Sequence, residues 1–227
     1  MLPILFQNQD VVAIAKPEGI ASIPEAPGQA ASLLERLAPA FEGKLYVVHR
    51  LDKEVSGVML FARNAAAHRH LNDQFERAAV RKTYLALAHG VIREDGGTID
   101  KPLRQFGSGR MGVDLQHGKP CQTVFEVVER FASCTLVRVH PLSGRRHQIR
   151  AHFYSIGHPI VGDLRYGDRQ TQRAYPRLML HAQAIAFRLV TGEEIVVEAP
   201  LPESFQAVLE RVRRTGKSRA DAPPRRG

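Results

Sequence analysis

Short apolar or alternating runs dominate the chain, at residues 11–15, 45–48, 58–62, 83–88, 124–128, 135–139, 181–187 and 195–199. Each has strand length, with turn-forming residues near at least one end, and reads as a β-strand. Helical spacing takes over in four places. The first is a short stretch at 32–37. The second, 64–79, can be capped by Asn64 and places Ala67, Leu71, Phe75 and Ala78 on one face. At 146–156 the recurring residues are Ile149, His152, Phe153 and Ile156, and at 203–214 they are Phe205, Val208, Leu209 and Val212. Strands mixed with helices, without strict alternation, predict an α+β fold on a large, mixed or mostly antiparallel sheet. The Gly-, Pro- and charge-rich segment 93–120 predicts loops or a hairpin excursion. One domain is expected over 1–214, followed by a basic, unstructured tail at 215–227 around Pro223 and Pro224.

Composition narrows the class. With 227 residues, 44% hydrophobic and 24% charged, the chain suits a soluble globular protein of one large domain or two small ones. No apolar run approaches the roughly 20 residues needed to span a bilayer. The first residues lack the basic and long apolar regions of a signal peptide. Two cysteines, Cys121 and Cys134, are too few for a disulfide framework or a four-thiolate zinc site, and point to a reducing cytoplasm. The balance of 32 Lys and Arg against 23 Asp and Glu, a net charge of +9, attracts polyanions. RNA, DNA and anionic membranes are the candidates, beside a generically basic protein with no such partner. No basic amphipathic membrane helix is present, which sets the membrane aside.

Three segments concentrate chemistry. Two strand-like runs flank His49, Arg50, Leu51, Asp52, Lys53 and Glu54, a charged loop on a rigid scaffold. Neighbouring Arg50 and Lys53 favour an ionised Asp52, which can serve as nucleophile or base; a salt-bridged surface turn is the plainer alternative. In the second segment, Gly144 precedes Arg145, Arg146, His147 and Arg150 at an expected helix start, an arrangement that suits a phosphate or a carboxylate such as Asp52. A solvated basic helix start would look the same. In the third, strand alternation sets Thr83, Leu85 and Leu87 on one face and Lys82, Tyr84 and Ala86 on the other. An aromatic beside a cation can stack on a base, although a core or surface tyrosine needs no such role. The match of residues 107–112 to G-x-G-x-x-G has no helix-like sequence after it, so it is not a dinucleotide fingerprint. His68 and His70 fall on different helix faces, and His147 and His152 miss zinc-site spacing. No metal or cofactor is expected.

Taken together, these segments resemble the RluA-type family of RNA pseudouridine synthases. The resemblance runs from about Val11 to Pro200: Lys16, Pro17 and Gly19; the run from His49 to Gly57; Arg81, Lys82, Thr83 and Tyr84 with His89 and Gly90; then 144–150, 157–160, Gly162, Asp163, Tyr166, Gly167 and 180–182. Val55 stands where the family usually has Thr, and Ser143 and Arg146 also replace the commoner Thr. The resemblance implies the pseudouridine synthase fold, a sheet of two halves with flanking helices and a central catalytic cleft. It implies Asp52 as nucleophile, Tyr84 stacking on the target uracil, Arg145 paired with Asp52, and Arg50 filling the space left by a flipped uridine. His49, Lys82, Arg146, His147 and Arg150 would join Arg50 in contacting RNA. The expected substrate is tRNA or ribosomal RNA, bound by a monomer with no obligatory protein partner and no N-terminal RNA-binding module. A non-catalytic RNA-binding domain on the same fold is the competing reading. A hydrolase with Asp52 as general base is a third, and has only Glu54 nearby as a second carboxylate.

Overall fold

The computed structural model describes residues 2–25 and 28–220. Among them are twelve strands and five α-helices. Strands β1 (Ile4–Gln7), β2 (Val11–Lys16), β3 (Tyr46–Val47) and β4 (Ser56–Ala62) form one half of the main sheet. The other half contains β5 (Arg81–His89), β6 (Gly96–Asp100), β9 (Gln122–Arg130), β10 (Cys134–Pro141), β11 (Leu180–Arg188) and β12 (Glu194–Glu198). The two halves join where β4 runs parallel to β11, pairing Ser56 with His181 and Gly57 with Ala182; the other pairings are antiparallel. The large mixed sheet expected from the sequence is therefore present, in two halves.

The seam is narrow for a specific reason. Gly57 has φ 126°, and a Cβ there would lie 2.1 Å from the Ala182 carbonyl oxygen. Glycine supplies both the backbone conformation and the close approach. Every residue of β4 is buried, because both sheet faces are covered, and its sequence reads as an apolar run rather than an alternation.

Helices α1 (Leu33–Leu37) and α2 (Ala65–Glu76) begin as their sequences dictate. The Ser32 hydroxyl and the Glu35 carboxylate form a capping box, and the Asn64 side chain accepts from Ala67 N at 2.9 Å. Ala78 was expected on the buried face of α2, but it is exposed beyond the helix end, in a left-handed conformation with φ 54°. Helix α3 (Gln148–Ser155) starts two residues later than expected, because His147 sits at φ 51° and breaks the helical path. Segment 93–120 holds β6 and a separate hairpin of β7 (Leu103–Gln105) and β8 (Met111–Val113). Helix α4 (Arg169–Gln172) is a single short turn, and α5 (Glu203–Ala220) packs Phe205, Val208, Leu209 and Val212 on the core. The end of α5 enters the stretch expected to be an unstructured tail; residues 221–227 lie outside the described residues.

Candidate active site

The loop between β3 and β4 is anchored at both of its sides. The Ser22 hydroxyl donates to Leu51 O at 2.6 Å and accepts from Leu51 N at 3.0 Å, while Gly19 N and the buried Lys16 ammonium donate to Lys53 O. Val55 N returns to Asp52 O, closing a turn that points the Asp52 side chain into a cleft. Burial lowers the Lys16 pKa to about 8, against the opposing pull of Glu54, Asp52 and Glu18. Lys16 thus acts as a structural donor beneath the loop.

Asp52 Oδ2 accepts from Arg150 Nη1 at 2.9 Å and lies 3.7 Å from His147 Nε2. Among the described residues no hydrogen bond reaches Oδ1. The carboxylate is thus held through one oxygen and presents the other. Arg150 is itself fixed from behind: Nε and Nη2 donate to the two oxygens of Asp163 at 2.7 and 2.9 Å, and the Asp163 side chain is fully buried. Burial opposes the guanidinium's charge, but Asp163 and Asp52 outweigh it and hold its pKa above the ordinary value.

The cleft has a volume of about 360 Å³, within the range of about 300–1,000 Å³ common for small-molecule sites. Asp52, Tyr84, Lys82, Arg145 and Ile149 are among its lining residues. A second recess of about 410 Å³ continues past Arg50, Asp52, Arg146 and His147 toward Arg165 and Lys53. Burial, with a smaller contribution from Asp52, pushes the Tyr84 phenol above its usual range, so the ring enters the cleft uncharged. Tyr84 stands on β5 opposite Val139 of β10 and Ala182 of β11, in the middle of the sheet, where its position is set by three strands.

Several expectations need correction. Arg145 does not pair with Asp52; it is exposed at the cleft wall, and Arg150 holds the carboxylate. The left-handed turn at His147 is the cause, since it puts the first helical turn at 148–151 and aims Arg150 at the loop. For the same reason Arg150 is clamped between carboxylates rather than free for a phosphate. His49 is no cation either. Its Nε2 accepts from Leu60 N at 2.9 Å, its ring stacks on Phe75, and burial, with Lys82 nearby, lowers its pKa to about 3. The Lys82 ammonium donates to Ser143 O, and burial lowers its pKa to about 8. Arg50 and Arg146 are exposed beside the cleft, where phosphates could reach them.

Sequence reasoning missed two further contributors. The buried Arg177 donates to the Ser56 hydroxyl at 2.6 Å and pairs with Glu18 at 2.8 Å, and His181 Nδ1 lies 2.8 Å from the same hydroxyl. This knot ties the β4–β11 seam to the segment that carries Lys16. Asp163 was visible only as part of a motif, and nothing local in the sequence ties it to Arg150. Among the described residues no cluster of metal-ligating side chains exists, and no helix is long and apolar enough to cross a membrane.

Comparison with known proteins points in one direction. Residues 10–155 match the family model described as RNA pseudouridylate synthase. Over 223 residues the chain is 39% identical to the ribosomal large subunit pseudouridine synthase C of Escherichia coli (strain K12), covering 92% of this chain and 70% of that protein. It is 38% identical over 192 residues to the dual-specificity RNA pseudouridine synthase RluA of Vibrio vulnificus (strain CMCP6), covering 81% and 76%. The solved structure of human RNA pseudouridylate synthase domain containing 1 superimposes with a TM-score of 0.77 at 29% identity, covering 94% of this chain and 95% of that one.

Proposed function

This chain belongs to the RNA pseudouridylate synthase family, RluA type, and is an isomerase acting on RNA; we propose that it flips a uridine out of structured RNA and isomerises it with Asp52 as nucleophile. The observation that carries the proposal is the one-sided hold on Asp52. Arg150 holds and orients Oδ2 through a charge-assisted hydrogen bond, and Oδ1 is left unengaged in a cleft that Asp52 shares with Tyr84. An ionised, fixed carboxylate with one unengaged oxygen is a competent nucleophile toward the uracil ring or the ribose.

Tyr84 offers its ring to the flipped uracil while the N–C bond to the ribose breaks and a C–C bond replaces it. Base stacking on an aromatic contributes about 1–3 kcal/mol, similar to the few kcal/mol that extruding a nucleotide costs. Arg50, Arg145 and Arg146, exposed around the cleft, contact the backbone phosphates. Isomerisation involves no net oxidation or reduction, so these side chains need no redox partner. The E. coli relative is named for the large ribosomal subunit, which supports ribosomal RNA as the first substrate to test.

The test is a pseudouridine map of cellular RNA with and without the gene, followed by treatment of the gene-less RNA with purified protein. We expect one or a few uridines to lose the modification and regain it in vitro. Maps that do not differ, with no conversion by the purified protein, refute the proposal.

A further inference from the structure

The least ordinary residue at the site is His147. It is one of two non-glycine residues with positive φ among those described, at 51°, and it stands immediately before α3. Such a conformation is uncommon outside glycine, even for asparagine, aspartate and histidine, which adopt it more readily than other residues, and it persists where surrounding contacts enforce it. Residues at this position usually cap the helix with their side chain, yet the His147 imidazole makes no cap bond. It points the other way, 93% of its side chain is out of solvent (7% exposed), and it bridges two groups.

On one side, Nδ1 lies 3.1 Å from the hydroxyl of the buried Tyr166. That hydroxyl already accepts from Met111 N at 2.9 Å, so its own proton is available to Nδ1. A neutral ring that accepts at Nδ1 carries its proton on Nε2. Nε2 faces Asp52 Oδ2 at 3.7 Å. The gap exceeds a hydrogen bond and closes with a shift of less than 1 Å, in keeping with catalytic contacts that tighten on substrate binding. The groups facing the ring are Asp52 from the catalytic loop, Arg146 from the turn before α3, Arg150 from its first turn, and Arg165 and Tyr166 from the loop before α4. Burial, reinforced by those three arginines against Asp52, lowers the His147 pKa to about 4 and leaves it a neutral donor.

We propose that His147 is a positioning residue for Asp52: oriented by the Tyr166 hydroxyl, its Nε2–H becomes the second donor to Oδ2, beside Arg150, and leaves Oδ1 as the reacting oxygen. This rests on Asp52 being the nucleophile and deepens that reading. It removes His147 from the expected set of RNA-contacting cations and gives the Tyr166 hydroxyl a purpose beyond packing. It also connects the β7–β8 hairpin, through Met111, to the catalytic carboxylate.

The decisive variant is His147→Gly, because glycine adopts the required backbone freely and opens space for a free imidazole. Single-turnover rates are measured on a synthetic RNA carrying the uridine found by the map. We expect the rate to fall roughly tenfold, the value of one hydrogen bond in the transition state, with RNA affinity within about threefold of wild type. Added imidazole should restore much of the rate, and 1-methylimidazole, which lacks an N–H donor when neutral, should not. Tyr166→Phe, with the imidazole intact but unoriented, should slow the step to a lesser degree and gain nothing from imidazole. An unchanged rate in His147→Gly, or a loss that imidazole cannot restore, overturns the proposal. If that variant does not fold, an unchanged rate in Tyr166→Phe overturns it instead. No product from wild-type protein would refute the activity itself, a distinguishable failure.

Discussion

Replacing Arg150 by lysine keeps a positive charge in place but removes the fork that serves two carboxylates at once. The guanidinium spends Nε and Nη2 on Asp163 and Nη1 on Asp52 Oδ2. A lysine has one nitrogen at the end of a flexible stem and cannot reproduce that planar geometry. Asp163 is completely buried, so the ammonium is expected to stay with it and release Asp52. A charge-assisted hydrogen bond contributes about 1.5–3 kcal/mol. Losing the one to Asp52 during the chemical step at about 2 kcal/mol corresponds to a rate decrease of roughly 30-fold. Asp163 also loses one of the two bonds it accepts from this side chain, which should cost about 1–2 kcal/mol of stability. The assay is single-turnover pseudouridine formation with saturating enzyme, beside RNA affinity and a urea unfolding curve. Arg145→Ala is the control: it should weaken RNA binding and leave the chemical step within about threefold. A chemical step in Arg150→Lys equal to wild type, or a larger loss of that step in Arg145→Ala, would refute the assignment of Arg150 as the residue that holds Asp52.

Other consequences follow from the same geometry. Gly57→Ala forces a Cβ against the Ala182 carbonyl at the β4–β11 seam and should destabilise the protein by about 3 kcal/mol or more; a melting temperature within about 2 °C of wild type would contradict this. His49, His147 and His181, each desolvated by burial, have folded pKa values of about 3, 4 and 4, below the ordinary histidine value. As pH falls below about 6.5 the unfolded chain binds those protons first, so stability should drop between pH 6.5 and 4, by about 1–2 kcal/mol per histidine at pH 5. Urea unfolding at pH 7 and pH 5 checks the sign, and equal stability at both would show that the rings are not held neutral. RNA binding should weaken steeply from about 50 to 200 mM salt, since Arg50, Arg145 and Arg146 are exposed to phosphates. A flat response in a filter-binding titration would remove them from the interface.

The strands and helices that position the site were legible because their signals are local. The strand-forming run of β5, the continuous apolar run of β4 and the Asn64 cap of α2 are decided within a few neighbours. Asp52 and Tyr84 could be singled out because the chain surrounds each with charge or sets it on a strand face. The Arg145 error arose from another kind of fact. Which arginine meets Asp52 depends on a left-handed φ at His147, and histidine signals that conformation far more weakly than glycine would. The roles of Arg177 and Ser56 were hidden because they are distant in sequence and meet only where the two sheet halves join, and that of Asp163 because the turn after α3 has to fold back on Arg150 before the two can pair. The start of α3 was misplaced by the same turn, because the apolar spacing begins only at Ile149 and does not say whether Arg146 and His147 are already helical.

The central claim is that Asp52 performs the chemistry rather than shaping the cleft. Asp52→Asn keeps the side chain's volume and removes its charge, so RNA binding should survive within about threefold while Arg150 keeps its anchor on Asp163. On the uridine identified by the map, pseudouridine formation by that variant should fall below detection in a reaction that wild-type protein completes. Product formed by Asp52→Asn at a rate within about tenfold of wild type would contradict the account.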